Sequence, residues 1–358
     1  MTDSALNLTP APQPAVEVLG VLRDLTAGEG LTGLSAALAQ LRAYVGEDLE
    51  RVEHELEHVP RAQDVVGRSL HHLLTLDGKR LRPLCVALAA RIGRGGGPAV
   101  VRLATAVELV HSATLLHDDV VDDGTLRRGR PTARVLYGNA ASVFAGDWLL
   151  IEALRRVQGA GVPGVMEALL ATIDEMIRAE ALQLECRGRL VLDEDVYFRV
   201  VEGKTAALFR WAMQAGAAAG GLAPEAQEAL MAYGMDLGVA FQIIDDALDL
   251  AGDAEATGKA LFTDLFEGKM TYPLLVGAEA DPALRGLVED AMASEAGVDA
   301  KVATKVVAAL RRTGALEATR KKAEAHARRA GEHLEAVPDG VARRALTLVA
   351  QAAVHRSK

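Results

Sequence analysis

The chain has 358 residues, a quarter of them charged, and a formal net charge of -10. That length is ample for a large core without fixing the number of domains, and the acidic balance argues against nucleic-acid binding. Half the residues are hydrophobic, only 4% are aromatic, and Ala and Leu dominate over short β-branched runs, so the expected class is all-α.

The N-terminus carries Asp3 and no early Lys or Arg, which is not a secretory pattern. Pro10, Pro12 and Pro14 mark residues 1–15 as a disordered tail, and 16–358 read as one helical domain. Val16–Val59 has helical spacing with a Gly-rich interruption at Gly28–Gly33. Val65–Leu76 reads as an amphipathic helix ending at Asp77-Gly78, and Gly78–Pro83 (GKRLRP) is a basic turn. Leu84–Ile92 resumes an apolar helix that Gly93 and Gly95-Gly96-Gly97-Pro98 stop. Val100–Val121 is long and apolar and carries an acidic cluster at its C-terminal end, where carboxylates oppose the helix dipole.

Gly124–Thr132 is a basic loop. Helices follow at Ala140–Gln158, Gly164–Glu185, Asp193–Ala219 and Pro224–Leu250. Gly252–Gly268 is a polar loop, Lys269–Pro273 leads into another helix, and everything from Asp281 is Ala-rich, charged and helical. No strand pattern of any length is visible. No segment reads as a membrane span; Trp211–Ala223 comes nearest, but it is short and Gly-broken, so any membrane contact is expected to be peripheral. Only Cys85 and Cys186 are present, far apart, which suggests a reducing compartment and a cytoplasmic location, with one disulfide between them as the alternative; each reads as a small core residue.

Two acidic clusters share one spacing: Asp118-Asp119-Val-Val-Asp122 and Asp245-Asp246-Ala-Leu-Asp249. Residues four apart share a helix face, so each cluster offers a carboxylate pair in apolar surroundings. Such pairs facing one space repel unless cations intervene, and hard oxygen donors with a polyanionic ligand suit Mg2+. One cluster alone would read as a solvated helix end. Two, each among apolar neighbours, read as a site.

Cations complete the pattern: Lys79, Arg80 and Arg82 in one turn, Arg127 and Arg128 after the first cluster, Lys204 beside Thr205, and Lys259 and Lys269 after the second. Arg forks and Lys point charges suit phosphate oxygens, although any one of these residues alone would read as a surface ion pair. Arg80 is the one that reads as structural. Neither Gly78-Lys79 nor Gly268-Lys269 has the upstream Gly of a nucleotide-binding loop.

In these segments the chain resembles the trans-polyprenyl diphosphate synthases of the isoprenoid synthase family. The matching stretches are GKRLRP (78–83), ELVHSATLLHDDVVDDGTLRRGRPT (108–132), GNAASVFAGDWLL (138–150), KTAALF (204–209), FQIIDDALDL (241–250) and GKALFTDLFEGKMTYPLL (258–275), in the family's order. One departure is the run Ala260-Leu261-Phe262, where the family usually has Pro and Gly after the Gly-Lys.

The resemblance implies a helical bundle around a deep central cavity and a homodimer, with Ala140–Gln158 as contact. It also implies isopentenyl and allylic diphosphate substrates. Asp118, Asp122 and Asp245 would hold Mg2+, with Asp119, Asp246 and Asp249 beside them. Arg127, Lys204, Lys259 and Lys269 would neutralise the allylic diphosphate. Lys79, Arg82, His111 and Arg128 would take isopentenyl diphosphate, while Thr205, Gln242 and the Lys204 carbonyl face the allylic cation.

Ala113 and Thr114 lie one turn before Asp118, where short-chain relatives tend to carry bulky aromatics. Small residues there imply an open tunnel, with Met166, Leu169, Leu170 and Ile173 as floor candidates and a product of about octaprenyl length or longer. The alternatives are a geranylgeranyl diphosphate synthase, a class I terpene cyclase and a non-catalytic partner subunit. A second all-Asp motif with Lys79 and Arg82 favours elongation over cyclisation, and two intact motifs disfavour the inert subunit.

Overall fold

The computed structural model describes residues 32–59, 63–76, 78–251, 262–292 and 300–355. The expected tail at 1–15 and Lys259 lie outside the described residues. The first helices are α1 (Thr32–Glu57), α2 (Val65–Leu74), α3 (Leu81–Ile92) and α4 (Pro98–Val121). A two-residue hairpin pairs Leu126–Arg127 (β1) with Arg130–Pro131 (β2). Then come α5 (Ala133–Tyr137), α6 (Asn139–Ala160), α7 (Val165–Cys186) and α8 (Glu194–Val201). A π-helical turn (Glu202–Ala206) joins α8 to α9 (Ala207–Ala219), and α10 spans Pro224–Ala251. The last elements are α11 (Thr263–Phe266), α12 (Tyr272–Ala280), α13 (Pro282–Met292), α14 (Ala300–Arg312), α15 (Ala315–His333) and α16 (Val341–Val354).

Local sequence explains the boundaries. Pro98 opens α4 at a position where a missing N–H costs nothing. Asp64 accepts the Gly67 N–H at 2.7 Å to cap α2, and Asp193 caps α8 by accepting from Asp195 and Val196. Among the described residues the hairpin is the one departure from the strand-free expectation. Arg128 and Gly129, both at positive φ, make its turn, and it is too short to show alternation in sequence.

The main core gathers α3, α4, α6, α9 and α10 around Trp211, Tyr233 and Phe209. A smaller cluster under α12, α13 and α14 includes Leu274, Leu284 and Val306. By length and composition α4 is long and apolar enough to cross a membrane, which corrects the choice of Trp211–Ala223 as the nearest candidate. Its apolar window is 72% buried among the other helices, so its hydrophobicity is that of a central core helix. Cys85 is buried, Cys186 half-buried, and both thiols are free.

Candidate active site

The first acidic cluster ends α4. Asp122 is its C-cap, and its N–H donates to the Asp118 carbonyl at 2.8 Å. Burial pushes the Asp118 carboxyl up to about 6; nearby Glu180 and Asp122 add to the push, and the Lys204 and Lys269 ammonium groups oppose it. Asp119 turns inward and is 3% exposed. Its Oδ1 accepts Arg127 Nε at 3.0 Å and Nη2 at 2.8 Å, while its Oδ2 is buried without a hydrogen bond. Asp122 is held from two sides, by Lys269 Nζ at 2.6 Å and Arg187 Nη2 at 3.0 Å. Cations at a helix C-terminus offset the dipole opposition that the sequence implies.

The second cluster sits on α10, and its three carboxylates have different tasks. Asp245 is half-buried and lies within the field of Arg82. Asp246 is almost fully buried and accepts Tyr197 Oη at 2.7 Å, Gln242 Nε2 at 2.9 Å and the Tyr272 N–H at 3.1 Å. Burial and the Asp264 charge push its carboxyl up to about 7 against those three donors. Asp249 accepts the N–H groups of Thr263 at 3.1 Å and Asp264 at 3.3 Å, which anchors the start of α11. The residue before that helix, Phe262, has a left-handed φ of 66°. A bulky side chain therefore stands where glycine would be unstrained, a physical reason for the family's usual glycine in this stretch.

A cleft beside the second cluster is lined by Gln183, Lys204, Thr205, Gln242, Asp246 and Lys269 and walled on its apolar side by Val196, Val200 and Val201. The π turn delivers two of these residues. It is accommodated by Gly203, where a Cβ would stand 2.6 Å from the Ala179 Cβ and 3.2 Å from the Glu175 carbonyl oxygen. Lys204 Nζ then reaches Glu180 at 2.5 Å and Gln183 Oε1 at 2.9 Å. Thr205 donates to Gln242 Oε1 at 2.8 Å, and Gln242 donates on to Asp246.

A second positive region lies across the site. The Arg82 guanidinium stacks 4.4 Å from the Phe209 ring centroid, and its buried Nε has no hydrogen bond. Burial first, then Arg82, Arg128 and Arg127, hold the His111 imidazole well below its usual range, so it is neutral near pH 7. Arg128 Nη1 donates to the Leu76 carbonyl at 3.1 Å, and Lys79 is exposed at the edge. Arg80 adds its charge to the field on His111, but its own side chain is 8% exposed and bonded to Glu53 and Glu108. The structure thus brings Arg82, His111 and Arg128 together and gives Arg80 its structural place.

Of the tunnel residues, Ala113 is 2% exposed, and Thr114 donates to the His111 carbonyl at 2.8 Å. Leu169 is buried, and Met166 and Ile173 are half-buried. Leu170 is 51% exposed, which removes it from the floor candidates: on a helix buried along one side it occupies the outer face.

The carboxylates are hard oxygen donors, burial and the neighbouring Glu180 and Asp122 charges drive Asp118 up, and one Asp119 oxygen is an orphan. Among the described residues no three acidic, His or Cys side chains form a cage for an ion. Hard oxygen donors of this kind fit a divalent cation shared between carboxylates and substrate phosphate.

A family model described as polyprenyl synthetase matches residues 63–310. The chain belongs to the polyprenyl synthetase family. This polyprenyl synthetase is 37% identical to the octaprenyl diphosphate synthase of Escherichia coli over 323 residues, covering 90% of this chain and 99% of that protein. The crystal structure of a decaprenyl diphosphate synthase from Rhodobacter capsulatus superposes with a TM-score of 0.82 at 36% identity, over 89% of this chain and 99% of that one. A polyprenyl synthase from Caulobacter crescentus CB15, solved with calcium and isoprenyl diphosphate, superposes with a TM-score of 0.81 at 33% identity, over 98% of this chain and 100% of that one. The all-α expectation and the family resemblance hold for this polyprenyl synthetase.

Five side chains at the site went unnoticed in the sequence: Glu180, Gln183, Arg187, Tyr197 and Tyr272. Glu180 and Gln183 lie three apart on α7, a spacing that marks one face, but nothing in the sequence places that face against Lys204.

Proposed function

We propose that this prenyltransferase condenses an allylic diphosphate with successive isopentenyl diphosphate units to give a long-chain all-trans polyprenyl diphosphate. The observation that carries the reading is a cleft lined by Asp246, Lys204 and Lys269, in which both lysines also act on Asp118 and Lys269 holds Asp122, with a separate Arg82–His111–Arg128 group. Asp118, Asp122 and Asp245 are the residues that would hold Mg2+, and Arg127, Lys204 and Lys269 would take the remaining diphosphate charge. Bound Mg2+ supplies Lewis-acid stabilisation of the departing diphosphate.

Lys79, Arg82 and Arg128 present cations to isopentenyl diphosphate, and neutral His111 offers it a hydrogen bond. The Thr205–Gln242–Asp246 chain fixes the Thr205 hydroxyl and the Gln242 oxygen, dipoles that face the allylic cation as it forms. Buried apolar surface on α4 and α9 excludes the water that would quench it. The proton lost after attack goes to the released diphosphate.

The small side chains of Ala113 and Thr114 support an open tunnel below Asp118, and the octaprenyl and decaprenyl relatives support a product of about octaprenyl length. The homodimer is supported by exposed apolar side chains on α6 (Val143, Phe144, Ile151) and α7 (Leu170, Ile177, Leu184). The free thiols support a cytoplasmic location. The test is a product-length assay with Mg2+, isopentenyl and farnesyl diphosphates. A dominant dephosphorylated band near octaprenol supports the reading, a geranylgeraniol band overturns the chain length, and no elongation overturns the function.

A further inference from the structure

Arg187 follows the last residue of α7 and reaches two other segments. Its Nη1 donates to the Val121 carbonyl at 3.1 Å, satisfying an end of α4 that no helical partner serves. Its Nη2 meets Asp122 Oδ1 at 3.0 Å, and its Nε donates to the Glu267 carbonyl at 2.7 Å. The next residue continues the join: the Gly188 N–H donates to the Gly268 carbonyl at 2.9 Å. Both glycines are left-handed, at φ 69° and 70°, and a Cβ on Gly268 would stand 2.8 Å from the Gly188 nitrogen. Two backbones can approach this closely only with glycine at the contact.

Lys269 closes the arrangement. Its ammonium bridges Asp122 Oδ2 at 2.6 Å and Glu267 Oε2 at 2.7 Å, and its own N–H is tied to the Asp264 carbonyl at 2.8 Å. The turn that carries Lys269 is therefore fixed to the first aspartate cluster through Arg187 as well as through Lys269 itself. The guanidinium fork is suited to this because one planar group serves a carboxylate and two carbonyls at once.

Resting on the reading above, we propose that Arg187 is a positioning residue that clasps the Phe262–Thr271 turn to the end of α4, so that Asp122 and Lys269 meet the allylic diphosphate in one geometry. Arg187 does not need to touch substrate for this. Its loss leaves Asp122 with one cation and frees the turn on its α7 side.

The test compares wild type, Arg187→Ala and Arg187→Lys as full-length enzymes. Amide hydrogen exchange over 262–271 without ligand is the first readout, and about tenfold faster exchange is expected in Arg187→Ala, with regions remote from the turn unchanged. The second is titration of Mn2+ with inorganic diphosphate, expected to weaken by about tenfold. The third is kinetic: KM for the allylic diphosphate should rise about tenfold while KM for isopentenyl diphosphate stays within about twofold. Arg187→Lys keeps the charge but not the fork and should recover less than half of each effect. Unchanged exchange in Arg187→Ala, or an equal rise in both KM values, overturns the clasp. If the wild type itself fails to condense, the proposed function falls, and exchange with the Mn2+ titration alone decides the clasp.

Discussion

Replacing Arg80 with Met separates the one structural cation of the basic turn from its neighbours. The guanidinium is 8% exposed and touches Glu53 at 2.7 and 3.3 Å and Glu108 at 2.7 Å, stitching α1 and α4 to the start of α3. Burial opposes its charge, but the two carboxylates more than compensate, and its pKa is raised. The Met stem preserves much of the packing, so the loss is electrostatic. Removing one partner of a buried pair costs about 3–5 kcal/mol, and two stranded carboxylates place this case near the upper end. Urea unfolding followed by circular dichroism measures the loss. The triple variant Arg80→Met/Glu53→Gln/Glu108→Gln removes the stranded charges and should recover more than half of it. In folded Arg80→Met, KM for isopentenyl diphosphate should change by less than about threefold, since the side chain faces carboxylates. A single variant within about 1 kcal/mol of wild type, or a triple variant no more stable than the single, would refute the reasoning.

Away from the site, burial works against the Asp236 charge, but hydrogen bonds from His326 and Arg329 outweigh it and bring the carboxyl down to about 2. A depressed carboxyl stabilises above its unfolded pKa and loses that contribution as pH falls through the folded value. Asp236→Asn should therefore cost about 2 kcal/mol at pH 7, and the gap from wild type should close between roughly pH 4 and pH 2 in denaturant titrations. Gly203→Val forces a side chain against Ala179 and Glu175, so unfolding should show a loss of about 1–3 kcal/mol. With Lys204 displaced, kcat should fall about tenfold or more, and an unaltered kcat would contradict the placement of Lys204. Ala113→Phe should shorten the chain-length distribution on reversed-phase chromatography, whereas an unshifted distribution would move the tunnel elsewhere.

The aspartate clusters and their cations were legible because charge among apolar residues at helical spacing has few structural explanations. The division of labour inside the second cluster was not. Asp245, Asp246 and Asp249 look alike in sequence, yet only tertiary packing sets Tyr197 and the Tyr272 N–H against Asp246 and turns Asp249 toward the start of α11. Arg187 was invisible for a related reason: its partners lie 65 and 80 positions away, and an isolated Arg after a helix reads as solvated. Leu170 failed as a floor residue because apolar spacing on α7 marks two faces, one of them outward.

The π turn at Glu202–Ala206 amounts to one residue too many in an otherwise regular rod. With about 3.6 residues per turn, each residue rotates the helix by roughly 100°. Excising one residue from this stretch would let α8 and α9 fuse into a straight, better-bonded helix. The side chains on one side of the cut would then be swung around the axis relative to those on the other, so Lys204 and Thr205 could not both face the cleft while Tyr197 still reached Asp246. The helix tolerates weaker local geometry here because Tyr197 and the Lys204–Thr205 pair must face one cleft from a single rod.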